Sequence, residues 1–97
     1  MIVFELTMPG VGSWNGKWTG ADRLYVRTYK EREVPKEYWN KSFRYRWDDG
    51  WEACVTTTKM PIPEARKLER KSSGFAGYDW MIKSIIKHGT IKWTGED

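Results

Sequence analysis

Alternating apolar and polar positions predict four β-strands in the first two thirds of the chain. The alternation covers residues 1–8, 23–29, 42–47 and 51–59, and a period of two is typical of a strand that buries one face. The first segment has an apolar side that consists of Ile2, Phe4, Leu6 and Met8. The second segment has one apolar side and one side of arginines and tyrosines, which consists of Arg23, Tyr25, Arg27 and Tyr29.

The third and fourth strands are predicted to form a hairpin around Asp48-Asp49-Gly50. Either a two-residue loop or a three-residue loop with its glycine in the left-handed conformation fits this string. The three-residue loop sets Trp47 opposite Trp51 and Arg46 opposite Glu52, which gives favourable cross-strand pairs on both faces. The two-residue loop sets Trp47 against Glu52 and mixes the faces. We therefore predict the three-residue loop.

After residue 60 the apolar period changes to that of helices. Residues 63–72 predict a helix with a thin apolar stripe, in which Pro63 suits the first turn. Residues 78–88 predict a second helix, for which Asp79 is a candidate N-cap and Gly89 the stop. Its apolar face carries Tyr78, Ile82, Ile85 and Ile86, with Met81 beside them and Lys83, Ser84 and Lys87 opposite.

These elements together predict an α+β fold in which residues 1–97 form a single domain. We expect an antiparallel sheet of four to five strands, with residues 90–94 as a candidate for a short last strand, and both C-terminal helices packed on one face. The lone Cys54 fits a reducing compartment. No apolar leader follows Met1, and no uncharged stretch is long and apolar enough to span a membrane. We therefore expect a cytoplasmic protein with no membrane contact.

Residues suited to catalysis are sparse, which favours a non-enzymatic protein without a cofactor or a metal ion. His88 is the only histidine, and its place in the last turn of the second predicted helix, where basic residues are favoured, already explains it. Cys54 has no neighbouring His or Cys at metal-ligand spacing. Asp48 and Asp49 form an acidic pair that hairpin geometry already explains. A nucleophile and a base brought together by folding stay an open alternative.

Seven tryptophans and a net charge of +4 point to a binding function. Indole rings next to arginine and lysine form surfaces suited to flat anionic partners. The most distinctive string is Trp14-Asn15-Gly16-Lys17-Trp18, within the glycine-rich connection of residues 9–20, and connections of this length are usually functional or disordered. We predict a mobile lip in which Trp14, Asn15, Lys17 and Trp18 close on a ligand; rings folded back over the end of the sheet are the alternative.

The four residues from Trp14 to Lys17 resemble a segment of phage-encoded sponges that sequester signalling nucleotides. This likeness implies only that small aromatic and basic domains capture nucleotides without chemistry.

Arginines and tyrosines at alternate strand positions form a second candidate binding surface. The residues concerned are Arg23, Tyr25, Arg27 and Tyr29 in one strand and Arg44 and Arg46 in another. If the two strands adjoin, these side chains share the solvent face of the sheet. Sheet faces of this kind bind single-stranded nucleic acid by stacking and by neutralising phosphates. The alternative is that these residues serve solubility and protection of the sheet edge.

Two functions follow from the sequence as hypotheses. The first is a binding protein that captures a phosphate-bearing partner, either a nucleotide or a nucleic acid, on its aromatic and basic surface. The second is an inhibitor or adaptor that docks on another protein, since Trp and Arg dominate interface hot spots; its anchors would be Trp14, Trp18, Trp39 and Arg44. Small tryptophan-rich proteins without enzymatic motifs are typical of phage and mobile-element accessory genes, where either function would serve counter-defence. A homo-oligomer is compatible with both hypotheses.

Overall fold

The protein folds as a four-stranded antiparallel sheet with two helices after the strands, which confirms the predicted α+β class. The computed structural model describes residues 1–7, 24–46, 48, 52–72 and 76–93. Its elements are β1 (Ile2–Thr7), β2 (Leu24–Tyr29), β3 (Ser42–Arg46), β4 (Glu52–Lys59), α1 (Ile62–Arg70) and α2 (Asp79–His88). The strand order is β2-β1-β4-β3. The two longest-range pairings, of β1 with β2 and of β1 with β4, place the N-terminal strand at the centre of the sheet.

The predicted register of the hairpin is confirmed over its described residues. Arg46 pairs with Glu52 and Tyr45 pairs with Ala53, as the three-residue loop requires. Arg46 and Glu52 also form an ion pair with an N–O distance of 3.2 Å. The predictions for Trp47, Gly50 and Trp51 concern positions outside the described residues.

The two helices pack on opposite faces of the sheet, so the prediction that both lie on one face is wrong. In α2, Met81, Ile82 and Ile85 pack against the face that carries Phe4. In α1, Ala65 packs on the other face with residues that include Val3. The physical reason lies in β1, whose apolar residues point both ways: Ile2, Val3, Phe4 and Leu6 are all buried. A central strand that is apolar on both sides needs cover on both sides.

α1 contacts the sheet through polar bonds as well as through its short apolar stripe. Thr28 of β2 donates a hydrogen bond of 2.8 Å to the carboxylate of Glu69, and Arg66 donates a second of 2.7 Å. These bonds, that from Arg66 first, lower the pKa of Glu69 below its ordinary value of 4.5. Ser72, just after the helix, accepts a bond from the backbone N–H of Val26 at 3.1 Å. The bonds from Thr28 and Val26 therefore join α1 and the residue after it to β2, in addition to the contacts of the short apolar stripe.

α2 ends where the sequence predicts, at Gly89. This residue has φ of 74° and donates its N–H to the carbonyl of Ile85 at 2.8 Å, the left-handed ending that favours glycine. A Cβ at this position would lie 2.7 Å from the ring of Tyr38. Glycine is therefore required here both by the backbone conformation and by the approach of that ring.

Residues 90–93, which we call the return segment, do not form the predicted fifth strand. Ser84 of α2 donates its hydroxyl to the carbonyl of Thr90 at 2.7 Å and accepts the backbone N–H of Lys92 at 2.9 Å. Ile91 between these two residues joins the main core. The prediction that Ser84 lies on the polar side of the helix is wrong, because Ser84 is buried under the return segment. Its hydroxyl bonds the backbone of residues 90 and 92, which in a fifth strand would bond a neighbouring strand.

The crossing from β2 to β3 is held by a buried hydroxyl. Thr57 is 2% exposed; it donates to the carbonyl of Tyr38 and accepts the backbone N–H of Lys41. The indole N–H of Trp39 donates to the carbonyl of Val34 at 2.9 Å. Tyr38 and Trp39 both pack against the main core.

Candidate binding groove

A groove opens between the end of β3 and the start of α2. Its volume is about 440 Å³, within the range of small-molecule sites. We call it the aromatic groove and define it by the residues that line it, Tyr45, Arg46, Asp48, Tyr78, Trp80 and Trp93. Four of these six residues are aromatic, so the walls are suited to a flat ring.

Three rings of the groove contact one another edge to face. The ring of Tyr45 lies 5.3 Å from that of Trp80, with an interplanar angle of 89°. The ring of Trp93 lies 4.9 Å from that of Trp80, at 70°. Such arrangements are favoured because the positive edge of one ring meets the negative face of the next. Trp80 is therefore held in place by two neighbours.

Trp93 is the exposed member of this cluster and is positioned by the return segment. Half of its surface, 51%, is accessible to solvent. The hydrogen bonds of Ser84 to Thr90 and Lys92 fix the backbone just before it. An exposed indole on a fixed backbone offers accessible aromatic surface to a ligand at little cost in conformational entropy.

The charged groups of the groove are Arg46 and Asp48, both exposed. Arg46 pairs with Glu52, but its side chain is 73% exposed, and ion pairs at such exposure contribute little. Arg46 can therefore turn to an anionic ligand at small cost. Asp48 can accept hydrogen bonds from hydroxyl or amino groups of a ligand.

A second polar cluster joins β2 to the first turn of α2. The carboxylate of Asp79 accepts a bond of 2.9 Å from Arg27 and one of 3.0 Å from the hydroxyl of Tyr25. Arg27 also lies 5.4 Å from the centre of the Tyr29 ring. Arg27 also donates a hydrogen bond to the hydroxyl of Tyr25, and this bond raises the pKa of Arg27. Burial raises the pKa of Tyr29. Tyr78 is the N-cap of α2, so the prediction of Asp79 as N-cap is wrong: its carboxylate bonds Arg27 and Tyr25 of the sheet instead.

The arginine and tyrosine rows of the two strands do not come together. β2 and β3 are opposite edges of the sheet. By register, Tyr25 and Arg27 share the α2 face with Leu6 and Phe4, while Arg44 shares the other face with Cys54. Tyr25 is only 6% exposed and belongs to the core. The expectation of one shared solvent face is therefore wrong.

Among the described members of the predicted site, Arg46 lines the aromatic groove and Arg44 is exposed elsewhere. The remaining predicted residues, Trp14, Asn15, Lys17, Trp18 and Arg23, lie outside the described residues, and the hypothesis for them stays a prediction. Trp39, a predicted protein-docking anchor, already has its indole N–H bonded and its ring 5.4 Å from the ammonium of Lys59. It serves the fold.

Sequence patterns did not identify Tyr45, Tyr78, Trp80 and Trp93 as a group. One signal was available: Trp80 does not share the isoleucine face of its helix, and an indole off the apolar face needs another partner. The contact between Trp80 and Trp93 depends on the path of the return segment, which no local pattern records.

No group of three or more His, Cys, Asp or Glu side chains suited to a metal ion occurs in the described part of the chain. Within the same part, no helix is both long and apolar enough to cross a membrane. Comparisons with known proteins found no matching family model, curated protein or solved structure. The case for a function therefore rests on the aromatic groove.

Proposed function

We propose that this protein is a non-enzymatic binding protein that captures a phosphate-bearing ring compound, a nucleotide or a nucleic acid, in the aromatic groove. The observation that carries the proposal is the cluster of Tyr45, Trp80 and Trp93 in a groove that Arg46 also lines. Its lone Cys54 fits action in a reducing compartment such as the cytoplasm.

The rings account for the flat part of the ligand. A base that stacks on an aromatic side chain gains about 1–3 kcal/mol, and Trp93 presents an exposed face for it. The edge-to-face contact with Trp80, at 70°, still leaves 51% of Trp93 accessible to a ligand. The groove volume of about 440 Å³ suits a ligand of nucleotide size.

The charges account for the polar part of the ligand. Arg46 is exposed and donates in a fork that matches phosphate oxygens. Asp48, which also lines the groove, can accept hydrogen bonds from a ribose hydroxyl or a base amino group. An anion without a ring would contact Arg46 alone. A ligand that carries both a ring and a phosphate should therefore bind more tightly than a ligand that carries only one of them.

The test compares adenosine 5′-monophosphate, adenosine and inorganic phosphate by isothermal titration calorimetry. We expect the monophosphate to bind most tightly and Trp93→Ala to weaken it at least tenfold, about 1.4 kcal/mol. The matched control is Ile62→Ala, which removes a 57% exposed apolar side chain far from the groove and should leave binding unchanged. Equal binding by the Trp93→Ala protein would overturn the proposal.

A second variant tests the role of Arg46. Glu52→Gln removes the carboxylate that competes for this guanidinium at 3.2 Å. Because an exposed pair contributes about 0–1 kcal/mol, binding of the monophosphate should tighten by up to about fivefold. Adenosine binding should not change, since adenosine has no phosphate. Tightening for both ligands alike would show that Arg46 does not meet the phosphate.

A further inference from the structure

We infer that the ligand of the aromatic groove is single-stranded nucleic acid, with one base on Trp93 and the following phosphates at Lys83 and Lys87 along α2. This inference rests on the proposed function and narrows it to a polymeric ligand. It adds to the groove a row of cations that the sequence analysis assigned to a plain solvent-exposed face.

The helix geometry places the two lysines next to the groove. Trp80, Lys83 and Lys87 fall within about 60° of one another around the helix axis, since each residue turns the chain by about 100°. Met81, Ile82 and Ile85 occupy the side that packs on the sheet, and both lysines are exposed. The row therefore runs outward from the aromatic groove over two turns of α2.

Both lysines are available to phosphate. Lys83 lies 3.4 Å from Asp79, but its side chain is 73% exposed, and the carboxylate of Asp79 already accepts bonds from Arg27 and Tyr25. Lys87 makes no ion pair among the residues that the structure describes. Exposed ammonium groups of this kind neutralise phosphates without reading the base sequence.

The groove favours a single strand over a duplex. Lys83 and Lys87 are about 6 Å apart along the axis of α2, so their side chains can meet separate phosphates of one strand. A base can enter the groove only if it is unpaired, and unpaired bases stack on aromatic side chains. A mononucleotide has its phosphate at one point and would engage only one of these cations.

The experiment measures binding of adenosine 5′-monophosphate and of single-stranded oligothymidylates of increasing length, by fluorescence at several salt concentrations. The variant is Lys83→Ala with Lys87→Ala. The matched control is Lys67→Ala with Lys71→Ala, which removes two exposed lysines of α1 and its C-terminus on the opposite face. Both double variants lower the net charge equally, so they differ only in the position of the lost cations.

We expect affinity to rise with length and then level off when the strand covers the row. For the longest strand, the slope of log affinity against log salt should become shallower by about 1.4 in the Lys83 and Lys87 variant, about 0.7 for each lost phosphate contact. The control variant should keep the slope of the unmodified protein. Thermal unfolding of both variants should match that of the unmodified protein, because all four side chains are exposed.

Three results would overturn the inference. A monophosphate that binds as tightly as the longest strand would refute it and leave the proposed function intact. Equal changes of slope in both double variants would show that general charge, and not the row on α2, attracts the strand. Failure of both the monophosphate and every oligomer to bind would refute the proposed function as well.

Discussion

Replacing Ser84 by alanine removes the hydroxyl that holds the return segment to α2. Two backbone groups then lose their partner, the carbonyl of Thr90 at 2.7 Å and the N–H of Lys92 at 2.9 Å. A buried polar group left unpaired costs about 1–3 kcal/mol. Alternatively the segment detaches and exposes Ile91, now 8% exposed, which costs about 1.5–3 kcal/mol. The alternative with the smaller free-energy cost will predominate, so we expect Ser84→Ala to lower the free energy of unfolding by about 2 kcal/mol.

The assay is urea unfolding followed by circular dichroism, with Ser42→Ala as the control. Ser42 is exposed, and its replacement should change stability by less than about 0.5 kcal/mol. If the segment detaches, Ser84→Ala should also weaken binding in the aromatic groove, because Trp93 is the last residue of the segment. A Ser84→Ala midpoint equal to that of the Ser42→Ala control would refute the role that we assign to this hydroxyl.

Three further predictions concern stability. Ile85 is fully buried and Ile86 only partly, so Ile85→Ala should cost about 2–5 kcal/mol and Ile86→Ala clearly less; equal losses in urea unfolding would contradict this packing. Gly89→Ala should cost more than about 1 kcal/mol in the same assay, because it strains the left-handed backbone and crowds Tyr38; an unchanged midpoint would contradict the helix ending. The two hydrogen bonds that Glu69 accepts lower its pKa below 4.5, so its stabilisation is complete above pH 4.5 and is lost as the pH falls through the lowered value. Glu69→Gln should therefore show weaker acid destabilisation than the unmodified protein in unfolding titrations across that range, and identical pH profiles would contradict the assignment.

The strands and the hairpin were predictable because their signals are local. Alternation in residues 42–46 and 52–59 and a turn string between them suffice to fix the register of Arg46 with Glu52. The end of α2 at Gly89 was predictable for the same reason, since a glycine after a periodic apolar stripe marks a helix ending.

The placement of the helices was not predictable from local pattern alone. The sequence shows the apolar stripe of each helix but not the sheet face that receives it. One signal was present in β1, where Val3 is apolar on the side opposite Phe4, and its burial requires a second cover.

The candidate site was predictable in kind but not in position. Tryptophan content and positive charge indicated an aromatic and basic surface, and Arg46 belongs to the aromatic groove. The strand order separates Arg27 from Arg44 by the full width of the sheet. The alternation of apolar and polar residues predicts strands but not their order in the sheet. The contact between Trp80 and Trp93 depends on the hydrogen bonds that Ser84 makes to Thr90 and Lys92. No local sequence pattern predicts these bonds.

The most direct test of the proposed binding groove is nuclear magnetic resonance of the indole N–H groups during titration with adenosine 5′-monophosphate. The chain has seven such groups, and each signal is assigned by replacing one tryptophan with phenylalanine. Our account predicts that the signals of Trp80 and Trp93 shift, while that of Trp39, bonded to the carbonyl of Val34, stays in place. Shifts confined to Trp14 and Trp18, or no shift of Trp80 and Trp93 at saturation, would contradict it.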